Sequence, residues 1–340
     1  MKKRIISLAA AAVFVLGTLA GCGNSSTQTT DKTASSDASS SGGDLVTMRD
    51  AVMTGQLDQY ATEIGLWQGI FEKYGIDLQT TEFVAGINTI DAVVNGTADI
   101  GMMADYAAVN RLGNTLDATN LQIFSQISGG QSALSGGLYV DPKYADDPKS
   151  LDSSAGFMYQ EGTVTYYYAS KCIEYLGLDE SKQNLINTDS SQTRLALIQK
   201  GGASAVYANG SEAKYIEEAG WVQVATSQEI GIQTGSYFLS TDKYISENTD
   251  ILAKFLQAVD ESTQYINDHL DESAEYLADK LGLKAEDFKE NWKNYSFEPG
   301  FSEEATTHLE DIEKWGFEHG SFPKDYNVRD FINTDVAKIA

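Results

Sequence analysis

Two hydrophobic periods take turns along this chain. Residues 45–53, "LVTMRDAVM", alternate apolar and polar positions at period two, which predicts a strand. The next stretch places Leu57, Tyr60, Ala61, Ile64, Trp67, Ile70 and Phe71 at helical spacing, with Gly75 as the stop. Trp67 falls on the apolar face of that helix and is expected in the core. "DLQTTEFVA" predicts a second strand, "INTIDAVVNGTA" a short helix, "DIGMMA" a third strand, "DYAAVNRLGN" a helix and "NLQIFSQIS" a fourth strand. Such alternation predicts a mainly parallel sheet covered by helices on both faces.

"SGGQSALSGGLYVDPKY", residues 128–144, breaks the rhythm with four glycines. A second strand–helix series then starts at "SAGFMYQ" and "GTVTYYYASKCIEYLGL". It continues through "NLINTD", "SSQTRLALIQKGG", "SAVYAN" and "GSEAKYIEEAG" to "WVQVATS". "GSYFLSTDKY", residues 235–244, is one more short apolar segment, and helical periodicity dominates from there to Ala340. The pattern predicts two α/β lobes. The chain leaves the first near residue 137 and returns near residue 237, so two crossings form a hinge.

The amino terminus obeys different rules. Lys2, Lys3 and Arg4 precede an apolar run from Ile5 to Leu19, and small residues lead to Cys22. This is the pattern of an export signal, too short for a membrane span. Residues 23–43 are almost wholly Ser, Thr, Gly and small polar residues, which cannot bury enough surface to fold. As a flexible coil they would span roughly 25 Å, a tether between a membrane and a folded body. Removing the signal takes the formal charge from −25 to −28. So acidic a surface excludes nucleic acid and anionic lipid as partners. Only Cys22 and Cys172 are present. Cys172, with Tyr168 and Leu176 four residues to either side, reads as a buried small apolar group and not a nucleophile.

The order and spacing of four segments resemble the solute-binding proteins of ABC importers, in the nitrate, sulfonate, taurine and thiamine-pyrimidine group. The segments are "EIGLWQGIFEKYGIDL", "AVVNGTADIGMM", "LALIQKGGASAVYAN" and "GSYFLSTDKYISENTDILAKFLQAVDESTQYIND". The "LAGC" ending resembles a lipoprotein lipobox. The sequence departs from the family pattern at Ser204, where Asp is usual, and at "YANG", where an aromatic-x-Pro is common. The resemblance implies a periplasmic-binding-protein-like type II fold: two doubly wound α/β lobes, a two-strand hinge and a helical C-terminal region. The expected divisions are a signal (1–21), a tether (22–43), lobe I (44–137), lobe II (138–236) and a return to lobe I (237–340). It further implies lipidation at Cys22 and anchoring on the extracytoplasmic face of the cell membrane. The partners would be a small-molecule ligand, a permease and its ATPase, with the chain a monomer that needs no cofactor or metal.

In open α/β sheets ligands sit beyond the carboxyl ends of the strands, where helix N-termini offer free N–H groups. Four such termini carry hydroxyl or amide residues: Thr54–Gln56 (with Gly55), Gly162–Thr165, Ser190–Gln192 and Asn209–Ser211. Thr163 and Ser190 are the hydroxyls whose joint loss would weaken binding with little loss of stability; either also reads as a plain N-cap. Gly86, Met102 and Met103 mark turns where backbone approaches a ligand, or turn geometry alone. Gln126 and Gln131 flank the first crossing. Tyr106, Tyr166 and Tyr207 would form an aromatic wall. Beyond the signal the arginines are Arg49, Arg111, Arg194 and Arg329. Such scarcity argues against a doubly charged ligand. A sulfonate-, taurine- or nitrate-like anion and a heteroaromatic pyrimidine remain open. His269, His308 and His319 all lie in the C-terminal region, far in sequence from these loops. No G-x-S-x-G, H-E-x-x-H or zinc-spaced Cys pair is present, so an enzyme is not expected.

Overall fold

The computed structural model describes residues 45–340 except 85, 117–119, 131–135, 152–153, 294, 296 and 298. The export signal, Cys22, the tether and Gln131 lie outside the described residues.

Two five-stranded sheets repeat one plan. The first holds β1 (Val46–Met53), β2 (Ile76–Phe83), β3 (Ile100–Ala104), β4 (Leu121–Gly130) and β10 (Thr234–Thr241), in the order β2-β1-β3-β10-β4. The second holds β5 (Gly136–Val140), β6 (Gly156–Tyr159), β7 (Asn184–Asn187), β8 (Ala205–Asn209) and β9 (Val222–Thr226), in the order β7-β6-β8-β5-β9. β1 pairs in parallel with β2 and β3, and β6 with β7 and β8. β10 runs antiparallel to β3 and β4, and β5 antiparallel to β8 and β9. The sheets are therefore mixed, where periodicity alone suggested mainly parallel ones. The reason is connectivity. β5 and β10 each enter a sheet straight from the other lobe, at the end where the parallel strands finish, so each must run backwards.

The expected break at 128–144 contains β5. Its glycines serve close packing: a Cβ on Gly137 would collide with the Ala225 carbonyl, and one on Gly136 with that of Ala208. The crossing back passes from β9 through a single turn, α8 (Ser227–Ile230), before β10.

Helices α1 (Leu57–Trp67), α2 (Ile70–Lys73), α3 (Gly86–Val94) and α4 (Asp105–Asn114) belong to the first sheet. One continuous helix was expected where α1 and α2 stand. Gly69, at φ 66°, ends the first and starts the second. Trp67, the last residue of α1, is not in the core. It is 38% exposed and stacks on Tyr276 at 4.2 Å, because the chain turns away at Gln68 and Gly69. Helices α5 (Val164–Tyr175), α6 (Ser191–Gln199) and α7 (Gly210–Glu218) belong to the second sheet. After β10 come α9 (Asp242–Asp268), α10 (Leu270–Leu281), α11 (Ala285–Trp292) and α12 (Glu303–Glu318).

Three apolar clusters hold these layers. One lies between the first sheet and α1, α2 and α9, with Met48, Ile64, Phe71, Met102, Phe238 and Phe255. A second backs the other sheet, with Met158, Val206, Ile216 and Trp221. The third is shared by both lobes: Met103, Tyr106 and Tyr237 of the first continue through Trp315 into Tyr167, Tyr168 and Tyr207 of the second. Cys172 is fully buried there, and burial pushes its thiol above the ordinary range, which suits an inert packing group.

Candidate ligand-binding site

In both lobes the parallel strands end in loops that lead straight into helices. β1 ends at Thr54–Gln56, before α1. Gly55 has φ 77° and its N–H donates to Gln59 Oε1 at 2.8 Å. Gln56 is the N-cap of α1 and makes no side-chain cap, so the first amides of that helix are not closed by their own cap. β8 ends at Asn209, the N-cap of α7, which also lacks a side-chain cap bond. Thr54, Gly55 and Gln56 are exposed and Asn209 is half-buried.

The other two predicted termini are satisfied locally. Thr163 caps α5, accepting from the Thr165 N–H at 3.3 Å while its hydroxyl donates to Gln160 O at 2.8 Å. Ser190 caps α6, accepting from the Thr193 N–H at 3.2 Å. Each cap is worth about 1 kcal/mol, so removing both hydroxyls costs stability. Gly162 precedes Thr163 at φ 73° on the surface.

Gly86 opens α3 and is buried. Thr89 Oγ1 donates to both Gly86 O and Met102 O at 2.7 Å, tying this helix start to β3. Met102 and Met103 are fully buried and point into different clusters, so only their backbone faces the strand end. Tyr207 is buried, its hydroxyl 2.9 Å from Ser227 Oγ and its ring 4.6 Å from Tyr168.

Tyr106 and Tyr166 are brought together by a residue the sequence reading did not select. Trp315 of α12 has its ring 6.2 Å from Tyr106, 5.1 Å from Tyr166 and 5.4 Å from Tyr167. His319 stacks on Trp315 at 4.3 Å and reaches Glu180 of the second lobe at 3.4 Å. Tyr166 also leans on Tyr159 at 4.6 Å, and burial beside Glu180 raises its hydroxyl to about 12. Sequence distance had set His308 and His319 aside; α12 carries both back to the lobe junction. The available signal was Trp315 and His319 at i and i+4, one face of a helix.

The loops after β6 and β7 enclose an open depression of about 470 Å³ lined by Gln160, Glu161, Asn187, Thr188, Asp189 and Thr193. It carries two carboxylates. Thr193 and Ser190 donate to Asp189 and hold its carboxyl below the usual range. The arginines are all engaged: Arg49 with Asp99, Arg111 with Asp91 at 2.8 Å, Arg194 with Glu212, and Arg329 with Glu303 and Glu310. Arg194 is buried and donates to both Glu212 oxygens, at 2.6 and 3.0 Å. Among the described residues no group of three or more His, Cys, Asp or Glu could hold a metal ion.

The profile of the NMT1/THI5-like family matches residues 64–273, the span that carries both sheets' helix-bearing loops. The chain belongs to that family. No curated protein matches the NMT1/THI5-like chain in sequence. Solved structures do match its fold. The periplasmic aliphatic sulphonate binding protein SsuA from Escherichia coli superposes at TM-score 0.71 and 16% identity, covering 84% of this chain and 97% of its own. The periplasmic nitrate-binding protein NrtA from Synechocystis PCC 6803 gives 0.60 and 15%, covering 86% and 88%. A DszB mutant in complex with biphenyl-2-sulfinic acid gives 0.60 and 10%, covering 86% and 98%, so an enzyme shares this architecture. The fold of the NMT1/THI5-like chain is thus that of the periplasmic binding proteins.

Proposed function

We propose that this protein is the extracytoplasmic solute-binding component of an ABC importer, tethered to the membrane by lipid on Cys22. It captures a small organic solute between its lobes and presents the closed form to a permease and its ATPase. The observation that carries this reading is the pair of uncapped helix starts, Gln56 before α1 and Asn209 before α7, one in each lobe at a parallel-strand carboxyl end. Such ends present N–H donors and no nucleophile, as capture without chemistry requires. The SsuA and NrtA likenesses support the same reading, with a sulfonate-, taurine- or nitrate-like solute. Closure follows if the solute bonds both lobes, because it then binds the closed state better and shifts the population toward it.

A second reading takes the solute to be a heteroaromatic base of the thiamine-precursor pyrimidine kind. It draws on the Tyr159–Tyr166 pair and the carboxylates of Glu161 and Asp189, which suit a ring bearing amino groups.

A thermal-shift screen of alkanesulfonates, taurine, nitrate and aminopyrimidines separates the two, since stabilisation grows as RT ln(1 + [L]/Kd). One class is expected to raise the melting temperature at millimolar concentration. Gln56→Ala with Asn209→Ala should then weaken its binding about tenfold, the equivalent of one or two lost hydrogen bonds. Unchanged affinity in that variant removes these loops from the site.

A further inference from the structure

Beneath the hinge lies a cavity of about 210 Å³ that the proposed capture of solute does not use. Its walls are the end of β4 (Gln126, Ser128), the start of β10 (Gln233, Thr234, Tyr237) and the first turns of α12. An apolar cavity of about 150 Å³ holds benzene, so the space admits a molecule of about ten heavy atoms.

Tyr237 is fully buried, and its hydroxyl, at the cavity wall, has no hydrogen-bond partner. A buried hydroxyl left without a partner costs on the order of 1–3 kcal/mol. Gly235 makes room for it: a Cβ there would sit 2.6 Å from the Tyr237 oxygen. The neighbouring polar groups cannot supply the bond. Asp105 Oδ2 already takes His308 Nε2 at 2.7 Å and the Gly235 N–H at 2.9 Å, while Oδ1 takes the Tyr106 N–H at 2.6 Å. Ser128 Oγ is paired with Ser236 Oγ at 2.7 Å.

We infer that this cavity is a second binding site, for a small neutral polyhydroxylated molecule hydrogen-bonded to Tyr237. The free interior groups are uncharged and amphoteric: a phenol, the amides of Gln126 and Gln233 and the hydroxyl of Thr234. Each can both give and take a hydrogen bond, as the hydroxyls of a polyol also do. An anion finds no uncommitted cation, because His308 is bound to Asp105, and it meets the Glu304 carboxylate at the mouth. Because both chain crossings line the cavity, its occupant makes contacts that depend on the angle between the lobes.

The test is calorimetric titration of the full chain in detergent with myo-inositol as the probe. Wild type is expected to bind it saturably at one site. Ala305→Leu, which fills the cavity from α12, should abolish binding, and Tyr237→Phe should weaken it about fivefold, one hydrogen bond's worth. The absence of saturable binding overturns the inference, as does binding that both variants leave untouched. Loss of binding in Gln56→Ala with Asn209→Ala would place the polyol at the strand-end loops and also overturn it. A crystal grown with the polyol that shows only ordered water against Tyr237 contradicts it independently of any variant.

Discussion

Single side chains carry several of the strongest constraints in this molecule. Glu313 on α12 is buried and hydrogen-bonded to Asp325; burial first, then that neighbour, raise its carboxyl to about 7. The folded state therefore keeps a proton that the unfolded chain releases near 4.5. Stability from this group is full below about pH 4.5 and is lost as pH rises to about 7. Glu313→Gln should flatten that slope, removing a difference of roughly 1–2 kcal/mol between urea midpoints at the two pH values. The buried Arg194–Glu212 pair behaves differently. Arg194→Met leaves a half-buried carboxylate without its fork and should cost about 3 kcal/mol by urea denaturation, whatever solute is present. These roles were not legible beforehand. Arg194 and Arg111 looked like candidate anion holders because sequence spacing shows which residues share a helix face but not which carboxylate a neighbouring helix will bring.

Among the elements, α12 decides how the two lobes meet. It starts at Ser302, which caps it, passes His308 against Asp105 at the start of α4, and ends with Trp315 and His319 against α5. Trp315 is buried among Tyr106, Tyr166 and Tyr167, so Trp315→Ala should cost about 3–5 kcal/mol. It should also enlarge the radius of gyration of the solute-free protein in X-ray scattering, because the removed ring belongs to the apolar cluster that both lobes share. A variant that is destabilised but keeps its scattering curve would confine Trp315 to a packing role. The strands and helices before it were readable from period alone, since each buries one face on a sheet. The position of α12 was not, because periodicity shows that a helix has an apolar face and is silent on which of two lobes receives it. β5 was hidden for a related reason: four glycines read as a loop, whereas two of them permit close strand packing.

At the scale of the whole molecule, two mixed sheets of the same strand order face the chain crossings with the carboxyl ends of their parallel strands. This arrangement was legible as two α/β series separated by a break, and the family likeness rests on the same order of segments. The loops that hold a solute were legible only as helix starts. Whether a start is free or capped depends on side-chain rotamers, which separate Gln56 and Asn209 from Thr163 and Ser190. A strongly acidic surface, fully committed arginines and carboxylates beside the second-lobe loops together favour a solute held by amides and hydroxyls over one held by charge. The most direct measurement is a calorimetric titration of the full chain with the solute class chosen by thermal shift, followed by recovery of the bound molecule for mass analysis. The account predicts one molecule bound per chain and recovered unaltered. No saturable binding by any of the solutes screened, or recovery of a chemically changed product, would contradict it.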